Sequence, residues 1–224
     1  MKWHLALGIP PEYFRFHNHE KLAHYANAAA DIEFKFPFGF KELEGIHSRT
    51  DFDLKAHEYH SGKKLQYFDP ELNESYVPYV VETSIGLDRM FLAVLSAAYE
   101  EEKLEDGSER SVLKLPMALA PVKVAVLPLI KKDGLPEIAR EIISRLKLDF
   151  NCQYDEKDAI GKRYRRHDAI GTPLCVTVDH QTKQDETVTI RYRDDMKQER
   201  ISVNDLERRL MELVGLKSLL KSLI

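Results

Sequence analysis

From Val122 onward, short apolar runs of strand character alternate with stretches whose apolar residues recur at helical spacing. Few architectures accept that pattern. Val122-Lys123-Val124-Ala125-Val126-Leu127 reads as a strand. Leu135–Lys147 sets Ile138, Ile142, Ile143 and Leu146 on one helical face. Asn151–Tyr154 is a short strand, and Asp158–Ile170 a basic helix closed by Gly171 and Pro173. Leu174–Val178 is a strand. In Glu186–Arg193, Val188, Ile190 and Tyr192 alternate with Thr187, Thr189 and Arg191, as in a half-buried strand. Ser202 or Asn204 is placed to cap a last helix carrying Leu206, Leu210, Leu213 and Leu216. The expectation is an α/β domain with helices packed on a mixed sheet.

The first half reads differently. Lys21–Ala30 is expected to be helical, Asp31–Phe36 and Glu42–Ile46 to be strands separated by Pro37 and Gly39, and Tyr79–Glu82 a third strand. A long helix over Leu87–Glu101 follows, with Leu87, Phe91, Leu92, Leu95 and Ala98 on one face. Local connections between such strands predict an antiparallel sheet. Glu100–Lys103 and Glu105–Arg110 read as an exposed polar linker. The division is therefore 1–102, a linker at 103–116, and 117–224, with no internal repeat.

Charge separates the same halves. Residues 1–116 hold 13 basic and 20 acidic residues, net −7, and residues 117–224 hold 20 and 17, net +3. The second half is the better place for a polyanion, the first for a cation or an ammonium group, although solvated faces account for such values equally well. No apolar run approaches the ~18–20 residues of a membrane span, and the start carries no secretory signal. Cys152 and Cys175 alone suggest a reducing compartment and packing roles. His17, His19, His24, His47, His57 and His60 lack a cysteine partner or the His-Glu-x-x-His spacing of a zinc site.

Two stretches carry chemistry. In Val81-Glu82-Thr83-Ser84-Ile85-Gly86-Leu87-Asp88-Arg89-Met90-Phe91, a strand runs through a glycine into a helix with an arginine in its first turn. A helix N-terminus favours anions, so an arginine there opposes the dipole and points to a separate task, such as clamping phosphate. Glu82 and Ser84 can meet an ammonium. A capped helix with a surface ion pair is the plainer alternative. In Phe38–Leu54, Glu42 and Glu44 share a strand face. They repel unless a cation, a metal-bridged nucleotide or an amine lies between them. A charged, solvent-facing strand edge is the alternative.

Glu42-Leu43-Glu44-Gly45-Ile46, Arg49-Thr50-Asp51-Phe52-Asp53-Leu54, and Val81-Glu82-Thr83-Ser84 with Gly86-Leu87-Asp88-Arg89 together resemble the single-chain, homodimeric glycyl-tRNA synthetases. Gly86–Arg89 is similar to motif 3 of class II synthetases. Leu119-Ala120-Pro121-Val122-Lys123-Val124, Ile160-Gly161-Lys162-Arg163-Tyr164-Arg165-Arg166 and Ile170-Gly171-Thr172-Pro173 resemble the same family's anticodon-binding domain. The blocks follow in order over roughly residues 20–210. The resemblance implies a partial class II antiparallel sheet followed by an anticodon-binding α/β domain. It implies that Glu82, Thr83, Ser84, Ile85 and Gly86 bind glycine. It places Glu42, Leu43, Gly86, Leu87, Asp88 and Arg89 at ATP, with Arg89 on the γ-phosphate and magnesium with the phosphates near Glu42. Arg89 and Glu82 are the implied catalytic residues. Lys162, Arg163, Arg165 and Arg166 are expected on tRNA-Gly, with a solvated helix face as the alternative.

Thr83 stands where the family usually has proline, and Ser48 where asparagine is usual. No counterpart of motifs 1 and 2 is recognisable. Those motifs supply the dimer interface and the contacts to the α-phosphate and adenine. The chain is therefore expected to be a fragment or a separately encoded piece of a cytoplasmic, homodimeric ligase, inactive by itself. The competing expectation is a non-catalytic nucleic-acid-binding protein built from synthetase parts, of the polymerase-accessory kind. Retention of Glu82, Ser84 and Arg89 favours the ligase.

Overall fold

A computed structural model describes residues 1–221 and 223. In the first half, α1 (Lys2–Ala6) and a 3-10 turn (Pro11–Tyr13) precede β1 (Phe14–Asn18), β2 (Ala28–Phe36), β3 (Gly39–Ser48) and α2 (Phe52–Ser61). Then come β4 (Tyr67–Asp69), β5 (Glu74–Tyr76), β6 (Val81–Ile85) and α3 (Leu87–Ala98). The second half runs β7 (Tyr99–Lys103), β8 (Glu109–Leu113), β9 (Val124–Pro128), α4 (Leu135–Leu146), β10 (Cys152–Tyr154), α5 (Ile160–Ala169) and β11 (Leu174–Val178). It ends with α6 (Thr182–Asp185), β12 (Thr187–Tyr192), β13 (Gln198–Ser202), α7 (Val203–Val214) and α8 (Leu216–Lys221). Contacts divide the chain into two units: residues 10–96 with Met1, and residues 97–224 with 2–9.

The first unit is built on an antiparallel sheet in the order β1-β2-β3-β6. Alternation buries Ile32, Phe34 and Phe36 of β2. Pro37 and Phe38 form the two-residue loop to β3, and Gly39 takes the left-handed φ of +102° that the turn needs. The helix expected over Lys21–Ala30 does not form. Ala28, Ala29 and Ala30 lie in β2 opposite Ser48, His47 and Ile46. Pairing on both edges of β2 overrides the helix preference of the alanines. The third strand also shifts, from the expected Tyr79–Glu82 to Val81–Ile85.

The stretch expected to be a linker is a hairpin. The α3 helix stops at Ala98, short of the expected Glu101, because Tyr99–Lys103 pairs antiparallel with Glu109–Leu113. Gly107 turns the chain with φ +78°. Glu102 sits across from Arg110, and Arg110 and Val112 are buried. The hairpin joins the second unit through a buried charge cluster. Asp168 of α5 accepts two hydrogen bonds from Arg191 at 2.8 and 3.0 Å and one from Arg110 at 2.9 Å. Glu102 accepts from the same Arg110 at 2.6 Å. A buried carboxylate is tolerated only when so paired.

In the second unit the sheet order is β10-β9-β11-β12-β13, with β9 parallel to β10 and β11 and the remaining pairs antiparallel. This is the expected mixed sheet. The edge strand β13 escaped the pattern because Gln198-Glu199-Arg200 is charged. Its ladder to β12 and the ion pairs of Arg200 and Glu199 hold it. Leu135, Ile142, Leu206 and Leu210 from α4 and α7 cover Val124, Val126, Val176 and Val188 in one core. On the other face, Ile160 and Tyr164 of α5 cover Ala125, Leu127 and Cys175. Ser202 caps α7, its hydroxyl accepting from the Asn204 N–H at 3.2 Å. Both cysteines are free and buried, and burial pushes Cys152 up to about 11 and Cys175 up to about 12. Among the described residues, no helix is long and apolar enough to cross a membrane.

Candidate functional site

In the first unit, β3 lies beside β6, with Gly45 opposite Ser84 and His47 opposite Glu82. A bulge interrupts β3. Glu44 faces Ile32 and Glu42 faces Glu33, leaving Leu43 as the extra residue. Leu43 turns into the core at 1% exposure, and Glu42 remains at the rim. Burial still alternates through the bulge, with Leu43 and Gly45 buried and Glu42 and Glu44 more open. Glu42 and Leu43, Ser84 at the end of β6, and Gly86, Leu87, Asp88 and Arg89 at the start of α3 line one open recess of about 670 Å³.

Arg89 reaches back across this recess. Its Nη1 donates to the Glu42 carbonyl at 3.0 Å and lies 3.4 Å from the Glu42 carboxylate. Both side chains are about half exposed, 55% and 53%, so the pair contributes little to stability. Among the described residues, a Cβ added at Gly86 would meet the Arg89 stem at 3.7 Å or beyond, an ordinary contact.

Glu82 is two residues back along β6, on the strand face it shares with Ser84, but it is not among the residues that line the recess. Its Oε2 accepts from Arg49 Nη1 at 2.7 Å, and Arg49 is bound bidentately by Asp53 at 2.6 and 3.0 Å. Asp53 is thereby held below its usual range, and Arg49 is raised, first by the Asp53 hydrogen bonds. Thr83 and Ile85 leave from the opposite strand face and do not line the recess. They can approach a ligand there only through the main chain. Arg49, Asp53 and Tyr25 were not foreseen as site residues. The Arg49-Thr50-Asp51-Phe52-Asp53 run was legible, but its meeting with Glu82 depends on the β3–β6 pairing.

On α5, in the second unit, Lys162, Arg165 and Arg166 are exposed. Arg165 donates to Ser108 Oγ at 2.9 Å and to the Glu109 carbonyl at 3.3 Å. Arg166 donates to Asp155 at 3.0 Å, Asp158 at 3.3 Å and the Lys157 carbonyl at 2.9 Å. Arg163 corrects the sequence expectation. It is 2% exposed and donates to the carbonyls of Pro128, Leu129 and Asp155 at 2.5, 3.1 and 3.3 Å. These carbonyls follow the ends of β9 and β10, so Arg163 ties the sheet and offers no surface to RNA. His167, buried one turn on, has its pKa lowered by desolvation.

Residues 123–213 match the family model described as "Anticodon binding domain". The chain is 55% identical over 198 residues to a glycine–tRNA ligase of Chlorobaculum tepidum, covering 88% of this chain and 42% of that protein. It is 53% identical to the glycine–tRNA ligase of Clostridium acetobutylicum, over 94% of this chain and 46% of the relative. The same identity holds with that of Borrelia hermsii, over 89% and 46%. The chain spans a little under half the length of these curated relatives. By sequence the chain is thus similar to glycine–tRNA ligases along nearly all its length, and its residues 123–213 match the anticodon-binding model.

Proposed function

We propose that this chain is the C-terminal portion of a glycine–tRNA ligase, with a catalytic part ending near Ser96 and a tRNA-binding part beginning near Ala97. One observation carries the reading: Glu42, Ser84 and Arg89 converge on a single recess in a chain more than half identical to such ligases. In this reading Arg89 leaves Glu42 for the γ-phosphate of ATP. Glu82 and Ser84 hold the glycine ammonium, and the main chain from Thr83 to Gly86 shapes a pocket too small for larger amino acids. Leu87 and Asp88 line the nucleotide side, and Leu43 contributes main-chain contacts. The glycine carboxylate attacks the α-phosphorus and pyrophosphate leaves, giving glycyl-adenylate; the terminal ribose hydroxyl of tRNA-Gly then attacks the glycyl carbonyl, forming the ester as AMP leaves. Positioning and charge neutralisation carry most of such a reaction. Glu42 would help hold magnesium brought in with the ATP phosphates, and the ion would supply further charge neutralisation there. Lys162, Arg165 and Arg166 are the tRNA contacts of this reading. The complete enzyme is a cytoplasmic homodimer.

A binding-only descendant of a synthetase has no use for an ammonium-binding carboxylate, so retention of Glu82 with Arg89 supports the ligase. The test is a hybrid in which residues 1–224 replace the matching segment of a full-length relative. Charging of tRNA-Gly with glycine is expected. A folded hybrid that binds tRNA-Gly without charging it would favour the binding-only protein.

A further inference from the structure

Arg49 is fixed on three sides. Its guanidinium lies 4.1 Å from the centre of the Tyr25 ring, and Asp53 grips Nε and Nη2. Nη1 then points at Glu82. The backbone closes the same corner. Arg49 N–H donates to the Val80 carbonyl, and Val80 N–H donates to the Thr50 carbonyl, each at 2.9 Å. Thr50, at φ +56°, donates its hydroxyl to the Tyr25 carbonyl at 3.2 Å. Side-chain exposure is 23% for Arg49, 26% for Asp53 and 38% for Glu82. The cluster is half-sheltered, with Glu82 its most open member.

An arginine beside a carboxylate that must attract an ammonium is a contradiction unless something neutralises the arginine. Here Asp53 does so. One guanidinium meets two carboxylates, and the cluster keeps a net charge of about −1. The neighbouring Lys55–Asp51 pair, at 2.6 Å, is closed on itself and adds nothing. His57, on the next turn of α2, adds positive charge only when protonated. Arg49 occupies Oε2 of Glu82, and Oε1 has no hydrogen bond among the described residues. That leaves one carboxylate oxygen in a fixed direction for a substrate N–H.

We infer that Arg49 and Asp53 are positioning residues for the substrate ammonium: Arg49 orients Glu82, and Asp53 neutralises Arg49 so that Glu82 keeps its attraction. The inference rests on the reading of Glu82 as the ammonium-binding carboxylate. Neither residue touches the substrate. Loss of the Asp53 charge brings the cluster close to zero and weakens recognition of the amine while the pocket's shape stays.

The test is a titration of the full 224-residue chain with glycine, followed by the amide resonances of residues 81–86. A parallel titration with glycolate keeps the carboxylate and replaces the ammonium with a hydroxyl. The unaltered chain is expected to prefer glycine. Asp53→Asn is expected to weaken glycine binding about tenfold, leave glycolate unchanged and so erase most of the preference. Asp53→Glu restores it. A purely structural role would weaken both ligands together. Amide dispersion across β3 and β6 reports folding. If Asp53→Asn does not fold, Arg49→Lys serves, because it keeps the charge but cannot bridge both carboxylates. It is expected to lower the preference for glycine. A folded Asp53→Asn or Arg49→Lys with unchanged preference overturns the inference, while loss of glycine binding in Glu82→Gln leaves the reading of Glu82 standing. An unaltered chain with no ammonium-dependent response, or a Glu82→Gln chain that binds as before, overturns both.

Discussion

Arg163 and Arg166 sit three positions apart on α5 and do opposite things. Arg163 is closed in by three carbonyls, whereas Arg166 lies at the surface among Asp155, Asp158 and the Lys157 carbonyl. Helical spacing places arginines on a face, but it does not say which carbonyls wait beneath. That is why Arg163 was misjudged from sequence while Lys162, Arg165 and Arg166 fell on the open side. Removing Arg163 strands buried acceptors, so Arg163→Ala is expected to cost on the order of 3 kcal/mol in chemical unfolding. Arg165→Ala with Arg166→Ala should leave stability within about 1 kcal/mol. The same pair should lower affinity for tRNA-Gly and flatten its salt dependence by about 0.7 in log–log slope per lost phosphate contact. Filter binding over a range of salt concentrations checks this, and an unchanged slope would mark α5 as a solvated face. At the candidate ammonium site, Glu82→Gln in the hybrid enzyme should raise the KM for glycine about tenfold or more, with the KM for ATP little changed. Steady-state pyrophosphate exchange with each substrate varied decides, and equal rises in both would remove Glu82 from the glycine pocket. Asp179 offers a pH test. The Arg200 guanidinium beside it holds its carboxyl down at about 2. A depressed folded-state pKa gives stability that is fully present above the ordinary carboxylate range and lost as pH falls toward 2. Arg200→Ala should therefore lose stability at neutral pH and unfold over a less acid range, read from circular dichroism.

At the scale of elements, β9, α4, β11 and β12 of the second unit were legible because their apolar residues lie against a real core, whereas the last helix breaks at Gly215 and leaves Leu216 to start α8. The exceptions have local physical reasons. Ala28–Ala30 have the composition of a helix, yet β3 pairs with all three and β1 with Ala30. Glu100–Arg110 has the composition of a linker, yet its charges are paired, Lys114 with Glu100 and Glu102, and Arg110 with Glu102 and Asp168. Most of its charges are exposed, as such a composition leads one to expect, and only Arg110 turns inward to a buried partner, Asp168. The recess was legible in its members, Glu42, Leu43, Ser84 and Gly86–Arg89, because they fall in two short motifs. The Arg49–Asp53 support was not, because it depends on strand pairing. The hairpin carries a prediction about where the second unit begins. A piece spanning residues 97–224 should unfold cooperatively. A piece spanning 117–224 leaves Asp168 without Arg110, at a cost of roughly 3 kcal/mol. It should melt at least about 10 °C lower. Equal melting temperatures by calorimetry would show that the hairpin is an appendage.

At the scale of the whole chain, the two halves differ in charge and in how their apolar residues are used. In the second unit, α4, α5 and α7 cover the sheet. In the first, Tyr59, Val81, Leu87 and Phe91 are 84%, 69%, 83% and 65% exposed. Of these, Leu87 lines the recess, and exposed apolar side chains of this size fit a surface that binds another polypeptide. Among the described residues that line the recess, Arg89 is the one cation. This chain alone is therefore expected to give no glycine-dependent pyrophosphate exchange, since each missing transition-state contact costs ~2.7–4 kcal/mol. Binding of RNA has no such requirement, and it tests most directly whether this is a tRNA-handling part of a ligase. The decisive measurement is the affinity of the 224-residue chain for tRNA-Gly and for the same tRNA carrying an unrelated anticodon loop, at several salt concentrations. Salt-sensitive binding that weakens when the loop is exchanged is the expected result. Equal affinity for both tRNAs, or no salt-sensitive binding to either, would contradict it.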